Sequence, residues 1–242
     1  GIRDRSPSRG LGDVYKRQSE ARWGTGYHEA MKEAVKDKIG GPPEEQHIFF
    51  SEVIAVHPEE FWLDGCAAAC VGGRVICFGL KPGANPVARQ PIPMSPYDEM
   101  RTEYHLEEWC VQGKVRKIDT AKEVLPEWST PAFVVDQDAK GLLGRMVCAY
   151  GPVNECLEIC TFPAADPQEA FRQAAGKSHH TTIDAIWGYT QFLVDEETSR
   201  ILTVRAKSGQ YHVLRMPFGP APAPPEIQSY VARTFGTLVD PE

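Results

Sequence analysis

The chain has 242 residues, 42% hydrophobic and 24% charged, which is enough for one sizeable domain plus a smaller piece and too apolar for a disordered chain. Its formal net charge of −7 excludes a whole-chain attraction for nucleic acid, so any polynucleotide contact has to rest on local patches. Seven scattered cysteines without a C-x-x-C pair argue against a disulfide framework, and the adjacent His179 and His180 do not complete a zinc site.

The first eighteen residues stand apart from the rest. Ser8 to Gln18 reads S-R-G-L-G-D-V-Y-K-R-Q and resembles a translated sequencing adapter, with Gly1 to Asp4 resembling its other end. Residues 1–18 are therefore set aside as adapter-derived. They hold five basic residues against two acidic ones, so removing their +3 from −7 leaves −10. No apolar run beyond them reaches the length of a membrane span and no secretory leader is visible, so an intracellular protein, cytoplasmic or nuclear, is expected.

Residues 19–75 form a first region whose role the sequence does not define. A helix is predicted around His28 to Ile39, ending at the Gly40-Gly41-Pro42-Pro43 break, and the apolar run Ile48 to Val56 reads as a strand. Asp64-Gly65 reads as an ordinary turn. From Leu80 the stretch L-K-P-G-A-N-P-V-A-R-Q-P-I-P-M is proline-dense, which favours extended backbone. Ser95 and Pro96 form an N-cap and first-turn pair, with Asp98 and Glu99 near the positive end of a helix that Gly113 should stop.

After a basic stretch (Lys114, Arg116, Lys117, Lys122), Trp128 to Val135 and Arg145 to Asn154 read as two strands of a hairpin. Asp166-Pro167 should cap a helix running to about Ala175, before Gly176. Thr181 to Ala185 reads as a strand delivering Asp184. A second hairpin turns at Ser208-Gly209 and returns through Tyr211 to Leu214, and Pro222 to Phe235 reads as a final helix.

Five motifs occur in order: the proline-rich lead-in from Leu80, W-S-T-P-A-F-V-V from Trp128, R-M-V-C-A-Y-G-P-V-N from Arg145, T-T-I-D-A-I-W-G-Y-T-Q around Asp184, and M-P-F-G from Met216 to Gly219. In order and spacing they resemble the reverse transcriptase of a gypsy-type LTR retrotransposon, over about Leu80 to Gly236. The implied fold is α+β: fingers and a partial palm, an antiparallel sheet backed by helices with a separate fingers hairpin, occupying residues 76–242. The implied activity is RNA-directed DNA polymerisation, with an RNA or DNA template-primer and a deoxynucleoside triphosphate as partners. RNase H and integrase would be the remaining parts of the parent polyprotein.

Such a polymerase uses two divalent metals roughly 4 Å apart, normally Mg2+, held by aspartate oxygens. The resemblance makes Asp184 the catalytic and metal-binding carboxylate, with the Ala185 carbonyl as a second donor. Tyr189 would lie under the incoming sugar and Phe218 against sugar and base. Arg145, Lys140 and Gln228 complete the implied nucleotide site.

Departures from the pattern bear on activity. Where related polymerases carry K-K-K-D-G, this chain has Asp136, Gln137 and Asp138, whose acids would repel a triphosphate. Ala149 and Gly151 replace an aspartate and an arginine, and Pro222 stands where an asparagine is expected, so its hydrogen bonds are lost. The Y-x-D-D segment bearing the other two carboxylates is not among residues 1–242, and the chain is expected to be inactive alone. One alternative is a decayed or domesticated palm-like module that binds without catalysis; another is an unrelated α/β protein with a fortuitous M-P-F-G.

Overall fold

A computed structural model describes residues 30, 33–34, 40–54, 71, 74–137, 143–162, 166–177, 180, 184–185 and 187–239. The chain divides into two compact units, Gly1–Gly72 and Gly73–Glu242. In the first, Ala30, Glu33 and Ala34 are helical, while the rest of the helix expected over 28–39 and the Asp64-Gly65 turn lie outside the described residues.

The strand expected over Ile48 to Val56 is corrected. Helix α1 (Pro43–Phe49) runs directly into a π-helical turn, Phe50–Ile54. Pro43 enters with its backbone preset for the first helical turn, and Glu44 and Glu45 complement the positive helix end. An apolar run of this length fits a helix as well as a strand, and the start signal decides it. Ala55 and Val56 lie outside the described residues.

The second unit contains, in order, β1 (Val75–Ile76), α2 (Pro96–Val111), β2 (Val115–Lys117), β3 (Thr130–Val135), β4 (Arg145–Cys148), α3 (Gly151–Cys156), α4 (Pro167–Ala174), a 3-10 turn (Gly188–Gln191), β5 (Leu193–Val194), α5 (Glu196–Ile201), β6 (Val204–Ala206), β7 (Gly209–Val213) and α6 (Ala223–Val239). Five strands form one sheet in the order β2-β7-β6-β3-β4, and β1 pairs with β5 in a separate two-stranded ladder. Only the β3–β6 contact of the larger sheet is parallel, so this unit is mixed α and β with a mostly antiparallel sheet.

The two predicted hairpins form as expected. β3 pairs with β4 through Ala132↔Cys148 to Val135↔Arg145, and β6 pairs with β7 through Val204↔Tyr211 to Ala206↔Gly209. They are not separate, however. Thr130↔Val204 and Pro131↔Arg205 join the first hairpin to the second, and the Thr130 N–H donates to the Thr203 carbonyl at 2.8 Å. Pro131 has no N–H, but its carbonyl still accepts from the Ala149 N–H at 3.0 Å.

The strand expected over Arg145 to Asn154 ends at Cys148, and α3 takes over at Gly151. Pro152 cannot donate to a ladder and fits the first turn of a helix, which sets the switch. Helix α2 follows its sequence signals closely. Ser95 caps it by accepting from the Asp98 N–H at 3.1 Å, and Gly113 follows with φ 64°. Likewise Asp166 caps α4 by accepting from the Gln168 N–H at 2.9 Å.

Helix α2 packs on β2 and β3 with Leu106 fully buried, over a core that includes Val115, Ala132, Val204, Val213 and Met216. One ionic node ties this helix to the first hairpin: the Arg101 guanidinium donates to Asp136 at 2.7 Å and also to Asp98. Gly144 passes beneath with φ 62°, where an added Cβ would sit 2.5 Å from the Val135 carbonyl oxygen. Gly144→Ala is therefore expected to destabilise the protein by about 1–3 kcal/mol through left-handed strain and backbone crowding, read as a lowered urea midpoint.

Candidate functional site

The segment after β7 is held at several points and exposes one ring between them. The Leu214 N–H donates to the Lys114 carbonyl at 2.8 Å, Arg215 bridges to Leu193, and the Met216 N–H donates to the Phe192 carbonyl at 2.9 Å. Met216 is fully buried, whereas Phe218 is 45% exposed. Beyond it, Gly219 adopts φ 111° close to Tyr150; an added Cβ would be 3.2 Å from that ring. The Asn154 amide donates to the Gly219 carbonyl at 3.0 Å and accepts from the Ala221 N–H at 2.8 Å. Asn154 thereby ties the segment before Pro222 to α3.

Three sequence-predicted residues from separate elements meet here. Tyr189, on the 3-10 turn, places its ring 4.7 Å from that of Phe218, tilted by 48°. Arg145, the first residue of β4, sets its guanidinium carbon 5.1 Å from the Phe218 ring centre. Two aromatic surfaces beside a planar cation suit a stacked base or sugar with an anionic group nearby.

Beneath this cluster lies a support that sequence reasoning missed. Trp187 is the one described non-glycine residue with positive φ, at 49°, and the Lys114 ammonium sits 3.8 Å from the centre of its indole. Arg215, 1% exposed, donates to the Thr190 carbonyl at 3.0 Å, and the Thr190 hydroxyl donates to the Trp187 carbonyl at 3.1 Å. The 3-10 turn carrying Tyr189 is thereby tied to the segment carrying Phe218. Burial first, and then the like charge of Arg215, push the Lys114 pKa down to about 8. The available sequence signal was Arg215 itself, a cation inside the otherwise apolar V-L-R-M-P.

Asp184 and Ala185 are exposed and belong to no strand, which corrects the expected strand as far as those two residues go; Thr181 to Ile183 lie outside the described residues. Ala185 offers its carbonyl to the Gly188 N–H at 3.2 Å, which turns the chain towards the 3-10 turn instead of extending it. Lys140 and Asp138 also lie outside the described residues. Gln228 is half-buried on α6. Asp136, expected to confront a triphosphate, is ion-paired with Arg101 at 2.7 Å while its side chain stays 89% exposed.

Among the described residues no three His, Cys, Asp or Glu side chains gather in a way that could hold a metal ion. Asp184 is a single carboxylate beside one carbonyl, a donor set that could form part of a divalent-metal site and that by itself does not fit a pair of magnesium ions. None of the helices formed by described residues is long and apolar enough to cross a membrane.

No family model matches the chain. Several of its curated relatives are polyproteins. It is 29% identical over 147 residues to the retrovirus-related Pol polyprotein from transposon 297 of Drosophila melanogaster, which covers 60% of this chain and 13% of the relative. It is 20% identical over 163 residues to the putative enzymatic polyprotein of Cassava vein mosaic virus, covering 66% and 25%. Against the enzymatic polyprotein of Cauliflower mosaic virus (strain Strasbourg) the figures are 25% over 151 residues, covering 60% and 21%. The chain is thus related, at low identity, to Pol and enzymatic polyproteins, and spans between 13% and 25% of the length of these three.

The buried lysine makes a pH prediction with a definite sign. Its folded pKa of about 8 lies below the ordinary 10.5, so between those values the unfolded chain binds more protons and stability rises with pH. The unfolding free energy of wild type minus that of Lys114→Met should therefore increase by about 2 kcal/mol from pH 7 to pH 10. Urea melts of both proteins at the two pH values check it, and the subtraction cancels the titration of other groups.

Proposed function

We propose that residues 76–242 are the fingers and part of the palm of an RNA-directed DNA polymerase from a retroelement Pol polyprotein. The observation that carries this reading is the convergence of Arg145, Tyr189 and Phe218 on one exposed surface. The sequence resemblance assigns all three to a nucleotide pocket, and they come from β4, the 3-10 turn and the segment after β7. Similarity to Pol and enzymatic polyproteins supports the retroelement origin.

In this reading Tyr189 and Phe218 hold the sugar and base of a deoxynucleoside triphosphate, and Arg145, with Lys140, faces its phosphates. Gln228 completes the pocket. Asp184 and the Ala185 carbonyl supply part of a Mg2+ site whose remaining carboxylates belong to a Y-x-D-D segment of the parent. Template-primer, RNase H and integrase are the partners of that parent, in the cytoplasm or nucleus. The present chain is proposed to bind nucleotide without polymerising it, because one carboxylate cannot organise two-metal transfer.

A second reading, a palm-like module that binds without catalysis, is favoured by the non-strand backbone at Asp184. Photo-crosslinking of a deoxynucleoside triphosphate analogue to the purified chain tests the common part. Phe218→Ala and Arg145→Ala should each lower labelling about tenfold, the first through loss of a stacking contact and the second through loss of a charged phosphate contact; undiminished labelling in both would remove the nucleotide assignment. Primer extension in magnesium by the chain alone should be absent. Fusing a segment that carries Y-x-D-D should restore extension that Asp184→Asn abolishes, whereas a fusion that binds nucleotide and extends nothing would favour the second reading.

A further inference from the structure

Helix α2 presents an apolar stripe to solvent, although its opposite side already packs on the sheet. Tyr97, Met100, Tyr104 and Val111 are 48%, 60%, 45% and 80% exposed. Tyr97, Tyr104 and Val111 recur at intervals of seven, with Met100 at the intermediate position, so the four lie along one side of the helix over about 21 Å. That is the spacing with which one helix receives another. The next intermediate position after Met100 is Glu107, and Glu108 lies on the other flank of the stripe.

The charges divide by location. Asp98 is bound by Arg101, Glu99 by Lys207 at 2.7 Å, and Glu103 accepts from the Ser208 N–H at 3.1 Å. Among the described residues the carboxylates of Glu107 and Glu108, which border the stripe, are exposed and make no ion pair or hydrogen bond. The carboxylates hydrogen-bonded inside the fold are those away from the stripe, while Glu108 and Glu107 act on Lys114 and Tyr211 only at longer range. A second copy is a poor occupant: parallel pairing would set Glu107 against Glu107, and antiparallel pairing would bury it against Met100.

We infer that the solvent-facing side of α2 is a docking surface for a basic amphipathic helix of a partner protein, its apolar residues on Tyr97, Met100, Tyr104 and Val111 and its lysines or arginines on Glu107 and Glu108. The surface is independent of the nucleotide reading, since it uses none of those residues. A single helix on a stripe of this length gives a weak, salt-sensitive complex.

The test uses the full chain and a labelled helical peptide of about five turns, with leucines at heptad spacing flanked by lysines, read by fluorescence anisotropy. The lysine peptide should bind, its glutamate-flanked counterpart should not, and added salt should weaken the complex. Met100→Glu or Tyr104→Glu should weaken binding about tenfold or more. The double variant Glu107→Lys, Glu108→Lys, at exposed positions and with its fold verified by circular dichroism, should shift preference to the glutamate peptide. Equal binding of both peptides, binding unaffected by Met100→Glu, or a dimer in light scattering that Met100→Glu abolishes would each overturn the inference, the last assigning the face to a second copy.

Discussion

A buried guanidinium at the exit of β7 sets the geometry on which the candidate site depends. Arg215 is almost wholly enclosed, and an enclosed charge is tolerated only where polar partners receive it. One of those partners is the Thr190 carbonyl, so the cation holds the 3-10 turn against the strand that delivers Phe218. Lys114 on the indole of Trp187 works at the same junction from the start of β2. Burial of the ammonium, and after it the repulsion between the two enclosed cations, depresses the Lys114 pKa. The positive φ of Trp187 is a further strain at the same place, of the kind that surrounding structure has to impose.

A second ionic node organises the opposite edge of the sheet. Arg101 joins α2 to the end of β3 through Asp136, and the close passage of Gly144 lets β4 turn back at that point. Asp136, an acid unfavourable for a triphosphate, thereby acquires a structural partner. Arg145, next to Gly144, follows from the same turn, so the node that pairs Asp136 also aims the cation that stacks on Phe218.

Where local chemistry decided the outcome, the sequence was legible. Ser95-Pro96 and Asp166-Pro167 start helices as their capping chemistry requires, and Ser208-Gly209 lies at the turn of the second hairpin. Legibility failed where two local solutions compete: Ile48 to Ile54 could alternate or spiral, and Pro152 ended a strand that the flanking apolar residues would have continued. Within the site, Tyr189, Phe218 and Arg145 were legible because their motifs keep order and spacing. Lys114, Trp187 and Arg215 were not, since a buried cation is recognisable only from what surrounds it.

The sequence by itself determined the helix starts, the two hairpins and the likeness to Pol polyproteins, because capping, turn chemistry and motif spacing act over a few residues. Tertiary structure alone decided that the hairpins share one sheet through Thr130 and Val204, that Asp136 is ion-paired with Arg101, and that Tyr189, Phe218 and Arg145 meet. Those outcomes depend on contacts between residues 29 to 74 positions apart, and no local preference encodes which distant carbonyl or ring a side chain will reach.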